Sequence, residues 1–260
     1  EQTLISLAGA YKGAAQWADY DNDGDLDLII AGQNTNVNWT DGPTRIYRNN
    51  GNNTFTEQTQ MNLLGSHQST VNWGDFDNDG DLDLLLSYPG SAIVYINNGN
   101  NSFTQFYDIL YGFQFTASSI WGDYNNDGYL DILFTNYGIS SDIYKNINGT
   151  GFLAQNNESI GNVGFSYCSW ADYDNDGDLD VIFAKRYGPS RIYRNNSVMK
   201  SGNFIANSSP AKPVGLTKEY TPSGVKLKWN PVKNDETPWK SISYNVKIGT
   251  KKDSVNLCPP

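Results

Sequence analysis

Trp17-Ala-Asp-Tyr-Asp-Asn-Asp-Gly-Asp-Leu-Asp27 decides how this chain is read, because it returns three times without a gap. The other copies are Trp73-Gly-Asp-Phe-Asp-Asn-Asp-Gly-Asp-Leu-Asp83, Trp121-Gly-Asp-Tyr-Asn-Asn-Asp-Gly-Tyr-Leu-Asp131 and Trp170-Ala-Asp-Tyr-Asp-Asn-Asp-Gly-Asp-Leu-Asp180. Their first aspartates, Asp19, Asp75, Asp123 and Asp172, stand 56, 48 and 49 residues apart, the length of a four-stranded propeller blade rather than of a helical solenoid repeat.

Each copy runs on into a short apolar stretch, Leu28-Ile29-Ile30, Leu84-Leu85-Leu86, Ile132-Leu133-Phe134 or Val181-Ile182-Phe183, too short for a helix and suited to a buried strand. A further strand is expected at Ile46-Tyr47, Val94-Tyr95, Ile143-Tyr144 and Ile192-Tyr193, and another at Phe55, Phe103, Phe152 and Phe204. Between them, Asn50-Gly51, Asn98-Gly99 and Asn148-Gly149 are hairpin dipeptides, since both residue types tolerate positive φ. From Phe55, Phe103 and Phe152 to the next loop is 20 residues every time. The repeat is therefore strand, aspartate loop, strand, strand, Asn-Gly turn, strand.

Glu1-Gln2-Thr3 stands 18 residues before Asp19, as Glu57-Gln58-Thr59 stands before Asp75. The expectation is an all-β β-propeller with four recognisable blades, forming an arc of a larger ring.

Within Asp19 to Asp27, side chains at the first, third, fifth and ninth places can converge on one cation, with a backbone carbonyl from the seventh. Oxygen-only ligands in that number suit calcium. Gly24, Gly80, Gly128 and Gly177 permit the sharp turn. An EF-hand would need glutamate at the twelfth place. Ile30, Leu86, Phe134 and Phe183 stand there instead.

These copies resemble FG-GAP/VCBS repeats, the calcium-loop blades of integrin α-subunit propellers and of many secreted bacterial proteins. The resemblance implies calcium held by Asp19, Asp21, Asp23 and Asp27; by Asp75, Asp77, Asp79 and Asp83; by Asp123, Asn125, Asp127 and Asp131; and by Asp172, Asp174, Asp176 and Asp180. Asp25, Asp81, Tyr129 and Asp178 would supply the carbonyls. The literal Phe-Gly and Gly-Ala-Pro signatures are absent, which favours the bacterial type. Residues 210–260 resemble the first part of a fibronectin type III domain, with Leu216, Val225-Lys-Leu227-Lys-Trp229 and Tyr244-Asn-Val246-Lys-Ile248 alternating apolar inward and polar outward. The expected division is thus 1–209 for the repeats and 210–260 for a partial β-sandwich, within a larger multidomain chain.

Charge supports the division and narrows the partners. Residues 1–210 carry 9 Lys and Arg against 24 Asp and Glu, whereas residues 211–260 carry 9 Lys against 4 Asp and Glu. An acidic body argues against nucleic acid, whose phosphates need clustered cations. No apolar run approaches the ~20 residues that span a bilayer, so membrane insertion is not expected. Cys168 and Cys258 suggest neither a disulfide framework nor a zinc site.

Two function classes stay open. The first is a noncatalytic scaffold, secreted or on the cell surface, that binds a glycan or protein. The second is the propeller portion of a secreted polysaccharide-degrading enzyme. With His67 the single histidine, no Ser-His or Cys-His pair is assembled, and 18 of the 24 acidic residues in 1–210 lie inside the loops. Binding is therefore favoured over catalysis. Trp17, Trp73, Trp121 and Trp170 are expected to pack between blades. The first repeat also spends 20 residues between Asp27 and Tyr47 where the others spend 12 or 13, and the surplus, Gln33 to Gly42, places Trp39 among Asn36, Asn38 and Asp41. An aromatic so flanked suits stacking on a sugar ring, which makes Trp39 the candidate ligand contact.

Overall fold

The computed structural model describes residues 5–33, 42, 44–65, 68–110, 118–135, 141–155, 160, 166–174, 176–185, 188–196, 211–221 and 224–232. Trp39, His67, Phe204 and residues 244–248 lie outside them. The chain forms two compact units, Glu1–Ala206 and Asn207–Pro260. All the described regular structure is β, and no helix is long and apolar enough to cross a membrane.

The first unit is a row of antiparallel sheets in which each strand pairs with its neighbour in sequence. Strands β1 (Tyr11–Ala18), β2 (Asp27–Gln33), β3 (Arg45–Asn49) and β4 (Phe55–Glu57) make the first. The second holds β5 (Thr70–Gly74), β6 (Asp83–Tyr88), β7 (Ser91–Asn97) and β8 (Phe103–Leu110). The third holds β9 (Ser118–Gly122), β10 (Asp131–Thr135), β11 (Asp142–Asn146) and β12 (Phe152–Ala154). In the fourth, β13 (Ser166–Ala171), β14 (Asp180–Lys185) and β15 (Arg191–Tyr193) are described. These are propeller blades with the expected strand order.

Register repeats as faithfully as sequence. Trp17 faces Leu28, Trp73 faces Leu84, Trp121 faces Ile132 and Trp170 faces Val181. On the other side of the same strands, Leu28, Leu84, Ile132 and Val181 face Tyr47, Tyr95, Tyr144 and Tyr193. The aspartate loop is therefore the first connection of every blade, held at one end of the sheet.

The second strands of the second and third blades are apolar on both faces because they are sandwiched. Side chains alternate along a strand, so Leu84 and Leu86 join Ile29, Ala31 and Tyr20 in one cluster while Leu85 joins Ile132 and Phe134 in the next. Leu133 then turns toward Val181 and Phe183. The loop aromatic takes part: Tyr20 stacks on Trp73 with centroids 6.4 Å apart, and Phe76 on Trp121 at 5.9 Å. A Cβ on Gly74 would lie 2.8 Å from the Trp121 ring, and one on Gly122 would lie 2.5 Å from that of Trp170. Trp73, Trp121 and Trp170 thus pack between blades as expected. Trp17 is 58% exposed and lies 6.1 Å from Phe55 of its own sheet.

The hairpin turns differ in detail from the expectation. Gly51 and Gly99 have positive φ, but the second residues to do so are Asn53 and Asn101 rather than Asn50 and Asn98. Asn50 and Asn98 instead point their amides at Thr54 and Ser102 across the turn. Only at Asn148-Gly149 do both members of the dipeptide take positive φ.

In the second unit, β16 (Val214–Thr221) and β17 (Gly224–Asn230) form a two-stranded antiparallel sheet. Leu227 and Trp229 are partly buried, whereas Leu216 and Val225, expected inward, are exposed. Among the described residues the unit has this one sheet.

Candidate metal centre

Every loop is built the same way from its own side chains. The first aspartate accepts the glycine amide five residues on, as Gly24 N–H donates to Asp19 Oδ2 at 3.0 Å and Gly80 N–H to Asp75 Oδ2 at 3.0 Å. Asn22, Asn78 and Asn126 occupy left-handed conformations before those glycines, which asparagine tolerates. The fifth residue accepts the amide two places on: Asp25 N–H to Asp23 Oδ1, Asp81 N–H to Asp79 Oδ1, Tyr129 N–H to Asp127 Oδ1 and Asp178 N–H to Asp176 Oδ1.

The ninth aspartate ties the loop to the sheet. Asp27, Asp83, Asp131 and Asp180 each accept two backbone amides, one at the start of the loop and one at the end of the third strand. For Asp83 these are Phe76 N–H at 3.1 Å and Asn97 N–H at 2.9 Å.

In three loops the structure brings carboxylates together. One oxygen from each of Asp19, Asp21 and Asp27, from each of Asp75, Asp77 and Asp83, and from each of Asp172, Asp174 and Asp180 lies within 4.8 Å of the others. Buried oxygens in these groups have no hydrogen-bond donor: Asp19 Oδ1, Asp21 Oδ1, Asp75 Oδ1 and Asp174 Oδ1. A buried acceptor without a donor carries a desolvation cost that a cation would offset. The set is oxygen only, which fits a hard divalent ion such as calcium.

Electrostatics points the same way. Burial, the largest influence, pushes Asp27 and Asp75 up to about 6 and Asp83 and Asp131 up to about 8. It also raises Asp19, Asp77 and Asp123. For Asp75 and Asp77 the next cause is the negative charge of Asp79. For carboxylates so disfavoured as anions by burial, a bound cation would invert the balance.

The remaining expected ligands have partners of their own within and between the loops. Asp23, Asp79 and Asp176 lie outside the convergent groups, since one oxygen takes the turn amide and, in the first and fourth loops, the other takes an arginine. Asp81 and Asp178 turn their side chains to accept from Asn22 at 2.7 Å and Asn126 at 3.1 Å of the preceding blade. In the third loop Asn125 donates to Asp131 Oδ2 at 3.2 Å, and Asp123 Oδ1 accepts Asp127 N–H. Asp25 and Tyr129 contribute their amides to the turn.

Two groups of contacts escaped the sequence reading. Arg48 Nε lies 2.7 Å from Asp21 Oδ2 and its Nη2 2.8 Å from Asp23 Oδ2; Arg194 repeats this on Asp174 and Asp176, both at 2.7 Å, and Lys145 Nζ reaches Asp127 at 3.1 Å. The hydrogen bond from the arginine is the first cause lowering Asp23 and Asp176 below the usual carboxylate range. Next along the strand, the side-chain amides of Asn97, Asn146 and Asn195 donate to Tyr20, Phe76 and Tyr124 carbonyls of the preceding blade at 2.7–2.8 Å. Extending the gapless alignment past Tyr47, Tyr95, Tyr144 and Tyr193 would have exposed both: Arg, Ile, Lys, Arg at one place, then asparagine in all four.

Residues 19–86 and 75–134 match the FG-GAP-like repeat family. No curated protein matches the chain. Among solved structures it is similar to a lectin of Agrocybe aegerita, described for its specific recognition of non-reducing terminal N-acetylglucosamine. The likeness has a TM-score of 0.50 at 17% identity and covers 89% of this chain and 67% of the lectin. It is a likeness of fold.

Proposed function

We propose that this chain is a calcium-binding β-propeller scaffold, secreted or displayed at the cell surface, that binds a glycan or protein without catalysis. The observation that carries the calcium reading is the threefold convergence of first, third and ninth aspartates with donorless buried oxygens. Asp19, Asp21 and Asp27 and their counterparts would hold the ion, which would supply positive charge and thereby fix the loop ends of neighbouring blades. Its stabilisation of the fold would be about 2.7 kcal/mol per site at a hundredfold excess over the dissociation constant. Extracellular calcium modules work with constants of about 10⁻⁴ to 10⁻³ M, which supports a location where calcium is plentiful.

A glycan is the preferred partner class. The lectin of similar fold recognises terminal N-acetylglucosamine, and the long first-blade connection carries Trp39 among Asn36, Asn38 and Asp41. Calorimetric titration of chelated protein with calcium, followed by a glycan array with and without calcium, tests both halves. Absence of heat up to several millimolar calcium would defeat the metal reading. Calcium binding without retention of any glycan would turn the scaffold reading toward a protein ligand.

A further inference from the structure

The four loops are not equivalent: they differ at the residue after the third-strand tyrosine and, in the third blade, at Asn125 as well. Arg48, Ile96, Lys145 and Arg194 each follow the tyrosine paired with the first residue after the loop. In the first and fourth blades the guanidinium spans the third and fifth aspartates through Nε and Nη2. It adds a positive charge to the loop and draws the Oδ2 atoms of both side chains toward itself. The third blade has Lys145 on Asp127 and one carboxylate fewer among its first, third and ninth residues, because Asn125 stands there. The second blade has five aspartates and, at this place, a partly buried isoleucine packed against the core. Its Asp75 is only 9% exposed and presents a donorless Oδ1 to the group.

We propose that this strand residue sets the metal affinity of its blade, so that the second loop is the tight calcium site and the arginine-clamped first and fourth loops are weaker, while the third, which combines Lys145 with the loss of a carboxylate at Asn125, is weakest. The inference rests on the calcium reading above. A fixed cation beside a divalent ion repels it even across solvent, and two carboxylates already neutralised have less charge to give. Near a protein surface such a charge changes affinity on the order of tenfold or more. The arginines have the converse effect of holding their loops ordered without metal.

The test is terbium luminescence and calorimetric calcium titration of the full chain. In the wild type, Asp77→Asn should abolish the tightest step. Ile96→Arg should weaken that step about tenfold or more, and Arg48→Ile should tighten the first loop by a similar factor. Circular dichroism in saturating calcium confirms folding. Arg48→Met is the safeguard should Ile96→Arg fail to fold, since it acts at an exposed side chain and should tighten binding likewise. If the wild type binds calcium but Ile96→Arg leaves the tightest constant unchanged, or either Arg48 variant weakens binding, the inference falls while the calcium reading stands. If the wild type binds no calcium, both fall.

Discussion

Metal-free protein should lose stability as pH rises from 5 to 7. Asp83 and Asp131 are fully buried, and burial pushes each carboxyl from 3.8 up to about 8 even though each accepts two backbone amides. Between those values the folded protein keeps two protons that the unfolded chain has released. Stability is then full below the unfolded value and is lost as pH rises toward the folded one, by about 1.4 kcal/mol per pH unit for each group. From pH 5 to 7 the loss is about 2.7 kcal/mol per carboxyl, about 5 for both, against roughly 5–15 for an entire domain. Asp27 and Asp75, pushed up to about 6, add a smaller loss over the lower half of the window. At about 2–4 °C per kcal/mol for a unit of this size, the melting temperature should fall by about 10–20 °C. Saturating calcium should flatten the slope, because the ion favours the anions. Scanning calorimetry at pH 5, 6 and 7, with and without calcium, measures this directly. Asp83→Asn combined with Asp131→Asn should remove most of the metal-free slope, at the cost of setting an NH₂ against one amide in each pair. A metal-free melting temperature that stays level or rises between pH 5 and 7 would refute the reasoning.

Two further outcomes follow from contacts between blades, and a third from the candidate ligand contact. Asn146 is fully buried, donates to Phe76 and Leu130 carbonyls and accepts Gly149 N–H, so Asn146→Ala should cost about 2–4 kcal/mol in denaturant unfolding, and a loss under 1 kcal/mol would contradict that role. Gly122→Val would drive a branched side chain into the Trp170 ring and should cost about 1–3 kcal/mol, recovered in part by Trp170→Leu in the same chain. Trp39→Ala should abolish glycan retention on an array while leaving the melting temperature within about 1 °C; undiminished retention would remove the assigned contact.

The fold was legible because the loops repeat. A single Trp-x-Asp-x-Asp-x-Asp-Gly-x-Leu-Asp stretch allows several readings, but its recurrence at blade spacing fixed both the strand after it and the tyrosine strand beyond. The first, third and ninth aspartates were legible for the same reason, as ligand spacing within nine residues is a local property. The clamp was not. Arg48 meets Asp23 across 25 residues, and that encounter depends on the pairing of β2 with β3, which spacing within the loop does not encode. The fifth aspartate was therefore assigned to the ion alone, when its two oxygens in the first and fourth loops serve the turn and the arginine. Contacts from blade to blade were hidden more deeply: Asn22 reaches Asp81 across 59 residues, and only the packed order of sheets makes them neighbours. Leu216 and Val225 show the limit of alternation, which says that two sides of a strand differ but not that a second layer covers one of them.

Asn22 donates to Asp81, Asn78 to the Gly128 carbonyl, and Asn126 to the Gly177 carbonyl and Asp178. Each loop thus grips its successor, and Asn97, Asn146 and Asn195 grip back on the carbonyls of the preceding loop, so that every joint is fastened from both sides. A row coupled to nearest neighbours in this way responds to disturbance gradually, joint by joint. Breaking one such bond should therefore loosen first the joint it spans, so that damage to the array stays with one pair of blades before it spreads to their neighbours.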